Sequence, residues 1–327
     1  MLQERRNMEY NTLGRTGVSV SRISLGTWSY GGANVSDKIP VGWAGQTEAD
    51  SIKALKLAYD QGINHWDTAD VYGNGRSEKI IGSVWNEIPR KDIFLATKVG
   101  WDRGDHDYWY HPEYMRHKME QSLKNLRTDC VDLLYLHHCN FGKQEEYFDA
   151  ALEAIQRFQE EGKTRFIGLS DWYCEKIMHY IDRVDPDVVQ PYRNVMDNTY
   201  RQSGLMEWVQ QHNIGVCFFS PLKHGLLTGK YTKPPRFEAG DFRRTIEDFK
   251  DFDIIQKMAE NRVKLFNRFN HHPQPILHGL IDALLTDAPT GCVLLGQRNM
   301  DQVRAAATLG NPLSKAEADW VKSLFAK

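Results

Sequence analysis

Apolar residues in this chain gather in short runs without period-two alternation, and each run closes on polar side chains before helical spacing takes over. Such runs belong to strands buried on both faces, and their alternation with amphipathic stretches indicates parallel βα units. Eight runs qualify, near residues 23, 63, 93, 131, 165, 188, 216 and 293. Between them, Thr47 and Asp50 cap a helix whose face is Ile52, Leu55 and Ala58 and which ends at Gly62. Further helices are predicted over 77–87, from Pro112, over 145–161, 203–212 and 299–308, and after Pro312. Helical sequence also fills roughly 251–285, with a break at His271–Pro275. Residues 10–28 alternate around Gly14 and Gly17, a short hairpin leading into a first strand near Ile23–Gly26. Long loops follow at 29–46, at 100–112, where aromatics and histidines gather, and at 223–250.

Eight parallel units in about 250 residues plus insertions fit a (β/α)8 TIM barrel, here with an N-terminal β-hairpin and long loops at its C-terminal mouth. The whole chain, 1–327, is read as one such domain. A doubly wound sheet competes, but a dinucleotide-binding version needs GxGxxG, and Gly73-x-Gly75 has Glu78 at the third position.

Composition narrows the class. With 41% hydrophobic residues the chain can bury a large core, and its formal net charge of −2 gives no reason to expect nucleic acid or an anionic membrane. The cysteines at 130, 139, 174, 217 and 292 form no CxxC pair, which suggests free thiols in a reducing compartment. MLQERRNMEY lacks an apolar leader core, and no run reaches the roughly 20 apolar residues of a membrane span. A soluble, cytoplasmic, globular protein is the expectation.

Chemistry enters at the strand exits, which carry Asp67, Lys98, His137, Ser170, Gln190, Ser220 and Gln297. A barrel gathers these ends into one mouth. The stretch INHWDTADVYGNGRSE at 63–78 sets a carboxylate at Asp67, a phenol at Tyr72, and Gly73 and Gly75 before a helix opening at Ser77-Glu78. Metal chemistry lacks its pattern: there is no HExxH, and the HxD of His65–Asp67 has no second histidine. On a strand, His137 and His138 point to opposite faces, so only one should enter the mouth. Gly162-Lys163-Thr164 fails as a phosphate loop because Arg157 stands where its first glycine belongs.

The set Asp67, Tyr72, Lys98 and His137 resembles the catalytic tetrad of the aldo-keto reductase superfamily. WDTADVYGNGRSE, LATKVG, DLLYLHH, IGLS, GVCFFSPLKHGLLTGKY and LLGQRN are similar to family blocks in order and spacing. The resemblance implies hydride transfer between nicotinamide and an aldehyde, ketone or sugar carbonyl. Tyr72 would be the acid, Lys98 the cation that lowers its pKa, Asp67 the counter-ion and His137 the orienting donor.

It also implies NADPH across the mouth, with NADH the lesser alternative. Ser170, Asp171 and Gln190 would meet the carboxamide and Phe219 would stack on the nicotinamide. Ser220, Pro221, Leu222, Gly225, Leu227, Gly229, Lys230 and Arg236 would hold the pyrophosphate side, with Gly26, Thr27, Trp28, Gly296 and Gln302 completing the cradle and Arg298 on the 2′-phosphate. Departures from the family pattern are Asp171 for asparagine, Phe219 for tyrosine, His138 for an aromatic residue, and Ala305 and Ala306 where adenine-contacting glutamate and asparagine often sit. Trp28, Tyr30, Trp43 and Trp101, with Trp109 a further candidate, would line a substrate pocket. Two other classes stay open: a cofactor-binding regulatory subunit that docks a protein, as potassium-channel β-subunits of this superfamily do, and a metal-dependent hydrolase barrel.

Overall fold

A computed structural model describes residues 8–36 and 39–326. Residues 1–7, on which the reading of no leader core falls, 37–38 of the long loop and the last residue lie outside the described part. The eight predicted runs are the strands Ile23–Gly26, His65–Asp67, Phe94–Val99, Val131–Leu136, Thr164–Asp171, Val188–Pro191, Gly215–Phe218 and Gly291–Gly296. Each pairs in parallel with the next in sequence, and the last pairs with the first, closing a barrel. The fold is a (β/α)8 barrel.

The hairpin Tyr10–Thr12 with Ser19–Ser21 forms as the sequence implies. It sets Leu13 and Val20 against Phe94, Ala96, Leu133, Tyr135 and Val188, so the N-terminal end of the barrel is plugged by apolar side chains. The turn reaches the barrel at Gly14, where an added Cβ would stand 2.2 Å from the backbone nitrogen of Gly215. Only glycine fits there.

Helices cover the outside as amphipathic faces. Ala54, Leu55 and Ala58 of the helix Glu48–Asp60 are buried, and Thr47 accepts from the Asp50 amide as its cap. One helical expectation needs correction: the stretch 77–87 is helical only over Arg76–Gly82. The helix expected over 203–212 is Leu205–Gln211, and a separate short helix Thr199–Gln202 precedes it across Gly204 at φ 81°. The region 251–285 is helical on both sides of the expected break: Phe252–Arg268, and then a continuous stretch from Pro275 to Leu285 with a π-helical turn at His278–Asp282. A helix at Cys174–Val184, unassigned from the sequence, buries Ile177, Tyr180, Ile181 and Val184 against the barrel. No helix among the described residues is long and apolar enough to cross a membrane.

Candidate active site

The second strand ends at Asp67, and the following turn carries Tyr72 back over the strand end. Thr68 and Asp70 donate backbone N–H groups to Ala96 and Lys98 of the third strand, which fixes the turn to the barrel rim. Gly73 and Gly31 let two loops touch: a Cβ at Gly73 would lie 2.3 Å from the carbonyl oxygen of Gly31.

Lys98 is the centre of the polar set. Its Nζ donates to Asp67 Oδ1 at 2.5 Å, to the Thr68 carbonyl at 2.8 Å and to the Tyr72 hydroxyl at 3.4 Å, using all three ammonium protons. Gln190 Nε2 donates to Asp67 Oδ2 at 2.8 Å. Asp67 and Lys98 are each 1% exposed, so this is a desolvated ion pair. Burial disfavours the Lys98 ammonium, but Asp67 and Tyr72 outweigh it and the pKa is raised.

Tyr72 behaves otherwise than the sequence suggests. Burial pushes its phenol up to about 12, more than the Lys98 ammonium pulls it down. The reason is local: the ammonium is already neutralised by Asp67 at 2.5 Å and stands 3.4 Å from the phenol oxygen. The phenol is therefore a proton-loaded group at neutral pH.

His137 and His138 both enter the cleft, correcting the expectation that one would face away. The strand ends at Leu136, so its alternation stops there, and the rings stack with centroids 5.0 Å apart. Trp101 meets both edge-on at 4.9 and 4.6 Å. Burial, helped by His138 and Lys98, holds the His137 pKa well below the usual imidazole value, and burial brings His138 to about 3. Both rings are neutral hydrogen-bonding groups, not cations.

Asp67, Tyr72, His137 and His138 line a cleft of about 330 Å³ at the C-terminal end of the barrel, with Lys98 buried behind them outside its lining. Of the predicted cofactor residues it brings together Gly26, Thr27, Trp28, Ser170, Asp171, Gln190, Phe219, Ser220, Pro221, Leu222, Gly225, Lys230, Gly296, Arg298 and Gln302, with Trp43 and Trp101 of the substrate set. Four predicted residues do not line it. Tyr30 is fully buried, its hydroxyl donating to the Gln297 carbonyl and tying the first strand's loop to the last strand's. Leu227 turns into the core, and Gly229 sits against helix Phe252–Arg268, where a Cβ would meet the Met258 carbonyl at 2.3 Å. Arg236 is exposed on the stretch after Pro234 and Pro235, which runs over the surface. Trp109 is likewise outside the lining and donates to the Asn140 carbonyl. Of the two alanines, Ala305 lines the cleft and Ala306 belongs to the core.

The structure adds Trp172, His224, Thr228, Arg243 and Leu277 to the lining. Trp172 follows a strand end directly, a signal the sequence does carry. His224 stands at φ 58° inside the turn Lys223–Thr228 and contacts Trp28, Trp43, Trp172 and Phe242, which apolar periodicity cannot announce.

The cradle suits a long phosphorylated cofactor. A Cβ at Gly296 would meet nothing within 4 Å, so any side chain there would occupy the cleft. Arg298 lies at this end, donating from Nε to Gln46 Oε1 at 3.0 Å and from NH2 to the Ala44 carbonyl at 2.7 Å. Asp171 accepts from the amides of Cys139 and Tyr173, and burial raises its pKa. One lone pair on each of its oxygens remains for a carboxamide.

A closed (β/α)8 barrel with a polar, aromatic-walled cleft at its C-terminal mouth is a fold that carries many enzymes. The profile described as the aldo/keto reductase family matches residues 22–325. The chain is 29% identical over 314 residues to the aldo-keto reductase YhdN of Bacillus subtilis, covering 92% of this chain and 88% of that protein. It is 31% identical over 268 residues to a probable voltage-gated potassium channel subunit beta of Arabidopsis thaliana, 77% of each chain. It is 29% identical over 234 residues to an NADH-specific methylglyoxal reductase of Escherichia coli, 68% of this chain and 69% of that one. A glycerol dehydrogenase structure from Gluconobacter oxydans superposes with TM-score 0.78 at 24% identity over 98% of this chain and 95% of that chain, which speaks to fold alone. The chain belongs to the aldo/keto reductase family, an enzyme family that works with nicotinamide cofactors.

Proposed function

We propose that the protein reduces aldehyde or ketone carbonyls with NADPH, Tyr72 delivering the proton. The observation that carries this is the buried chain Gln190–Asp67–Lys98–Tyr72, whose phenol end is in the cleft. A bound nicotinamide supplies the hydride. As negative charge grows on the carbonyl oxygen, the Tyr72 hydroxyl is the donor placed to quench it, and the neutral His137 imidazole fixes that oxygen's direction. Lys98 stabilises the phenolate left after transfer, and Asp67 with Gln190 keeps the ammonium from being an unpaired charge in the barrel.

The residues suited to the cofactor are Phe219 against the nicotinamide ring, Ser170, Asp171 and Gln190 toward its carboxamide, and Ser220, Leu222 and Gly225 toward the pyrophosphate. Arg298, close enough to Arg243 that its own pKa is lowered by burial and by that second cation, favours a 2′-phosphate and hence NADPH. Aromatic walls of Trp28, Trp43, Trp101 and Trp172 and the two neutral histidines suit uncharged carbonyl compounds.

Tyr72→Phe tests the reading. At matched NADPH occupancy, oxidation of NADPH by a panel of aldehydes, ketones and sugars should fall about 10²- to 10⁴-fold. Turnover by the variant at the wild-type rate would remove Tyr72 as donor. A second reading, a regulatory subunit that docks a protein, draws on the likeness to the channel subunit. It gains if wild type binds NADPH tightly yet turns over no carbonyl above background.

A further inference from the structure

We infer that His65, Cys217 and Cys292 form a site for one divalent, thiolate-preferring ion of the zinc class, held inside the barrel below the tetrad. Nothing in the reductase chemistry uses these three residues. His65 precedes Asp67 by two positions on the same strand, so both side chains face the same side, inward. Cys217 and Cys292 are register partners on adjacent parallel strands, which sets their sulfurs side by side.

The three ligand atoms lie within 4.8 Å of one another, and all three residues are fully buried. His65 Nδ1 is 3.3 Å from Cys292 Sγ. An ion held at ordinary zinc distances with near-tetrahedral angles would put nitrogen and sulfur about 3.5 Å apart and the two sulfurs about 3.8 Å apart. The cluster thus has the size of a first coordination sphere, reachable by small side-chain rotations.

Donor chemistry selects the ion. Two thiolates and an imidazole are soft-to-borderline ligands that suit zinc and cadmium and do not suit magnesium or calcium. Two thiolates also cancel a charge of +2, so the loaded cluster is neutral, the state a dry interior tolerates best. A monovalent ion would leave a net negative charge next to Asp67. Binding releases the two thiol protons to the buffer and transfers no electrons. Because the barrel closes over the cluster, the ion enters while the chain folds.

The full chain should therefore be unfolded under reducing conditions and refolded with equimolar zinc or cadmium, then desalted. Native mass spectrometry and metal analysis should give one ion per chain, and the cadmium form should show a thiolate-to-cadmium charge-transfer band in the ultraviolet. Cys217→Ser/Cys292→Ser should abolish the band and the stoichiometric ion, and His65→Phe should weaken retention on the order of tenfold or more. Refolded wild type that carries no ion would overturn the site. So would a Cys217→Ser/Cys292→Ser protein that keeps a full equivalent, since the ion would then sit elsewhere, for example at His137 and His138. Should the double variant fail to refold, the wild-type stoichiometry and the sulfur charge-transfer band decide the matter alone.

Discussion

Replacing Lys98 with methionine separates two jobs that one ammonium performs. Asp67 would keep only Gln190 Nε2 at 2.8 Å, as a carboxylate 1% exposed in the barrel. Breaking a buried pair from one side costs about 3–5 kcal/mol, whereas replacing both partners by neutral groups of similar volume is often close to neutral. Lys98→Met should therefore lower stability by about 3–5 kcal/mol, and Asp67→Asn/Lys98→Met should recover most of that loss. Activity should not recover, because neither protein has a cation at 3.4 Å from the Tyr72 oxygen to stabilise phenolate. Urea midpoints for both singles and the double give the coupling, and NADPH turnover at saturating cofactor gives the catalytic loss. A Lys98→Met protein within about 1 kcal/mol of wild type would mean that the pair behaves like an exposed salt bridge and that the desolvation argument is wrong. Strict additivity of the two singles would refute it equally.

Other outcomes follow from the same geometry. With the Tyr72 phenol raised to about 12, carbonyl reduction should be flat from about pH 6 to 9, while alcohol oxidation should climb roughly tenfold per pH unit as phenolate becomes available; a reductive rate that halves near pH 8 contradicts the assignment. Arg298→Ala should weaken NADPH binding about ten- to a hundredfold and NADH binding little, read by fluorescence titration, and equal loss for both would take the 2′-phosphate away from Arg298. Asp287 is held at about 2: burial favours its neutral acid but Arg193, Lys322 and Arg201 win. A depressed carboxyl pKa adds stability that is present above its unfolded value of about 3.9 and lost as pH falls through the folded one, so Asp287→Asn should cost about 3–5 kcal/mol at pH 7, with the gap to wild type shrinking as pH falls toward 2 in thermal unfolding.

The parts legible in the sequence share a physical reason. Strands buried on both faces tend to be apolar runs, and most of the barrel strands contain one, although His65–Asp67 is only His-Trp-Asp and Thr164–Asp171 opens on Thr and an exposed Arg. Asp67, Lys98 and His137 lie at or just past strand ends and Tyr72 on the turn that follows, where polar residues after an apolar run stand out. Helix Cys174–Val184 went unassigned although Ile177, Tyr180, Ile181 and Val184 keep helical spacing, because the polar start of the segment masks it. Within 223–250 no periodic signal exists at all. Ser220, Lys223 and His224 adopt positive φ, and that backbone, not any pattern of side chains, decides that His224 and Lys230 reach the cleft while Leu227 and Gly229 turn away.

Electrostatics were the least legible part, and Tyr72 shows why. A lysine near a tyrosine in a motif implies a lowered phenol pKa, because sequence reports which charges are near but not which are already spent. Here Asp67 and the Thr68 carbonyl take two of the three ammonium protons at 2.5 and 2.8 Å, and the phenol receives the third at 3.4 Å. Burial then dominates, and the phenol keeps its proton. An acid that stays loaded at neutral pH suits reduction, and the nearby ammonium matters chiefly after the proton has left, when a buried phenolate would otherwise stand alone.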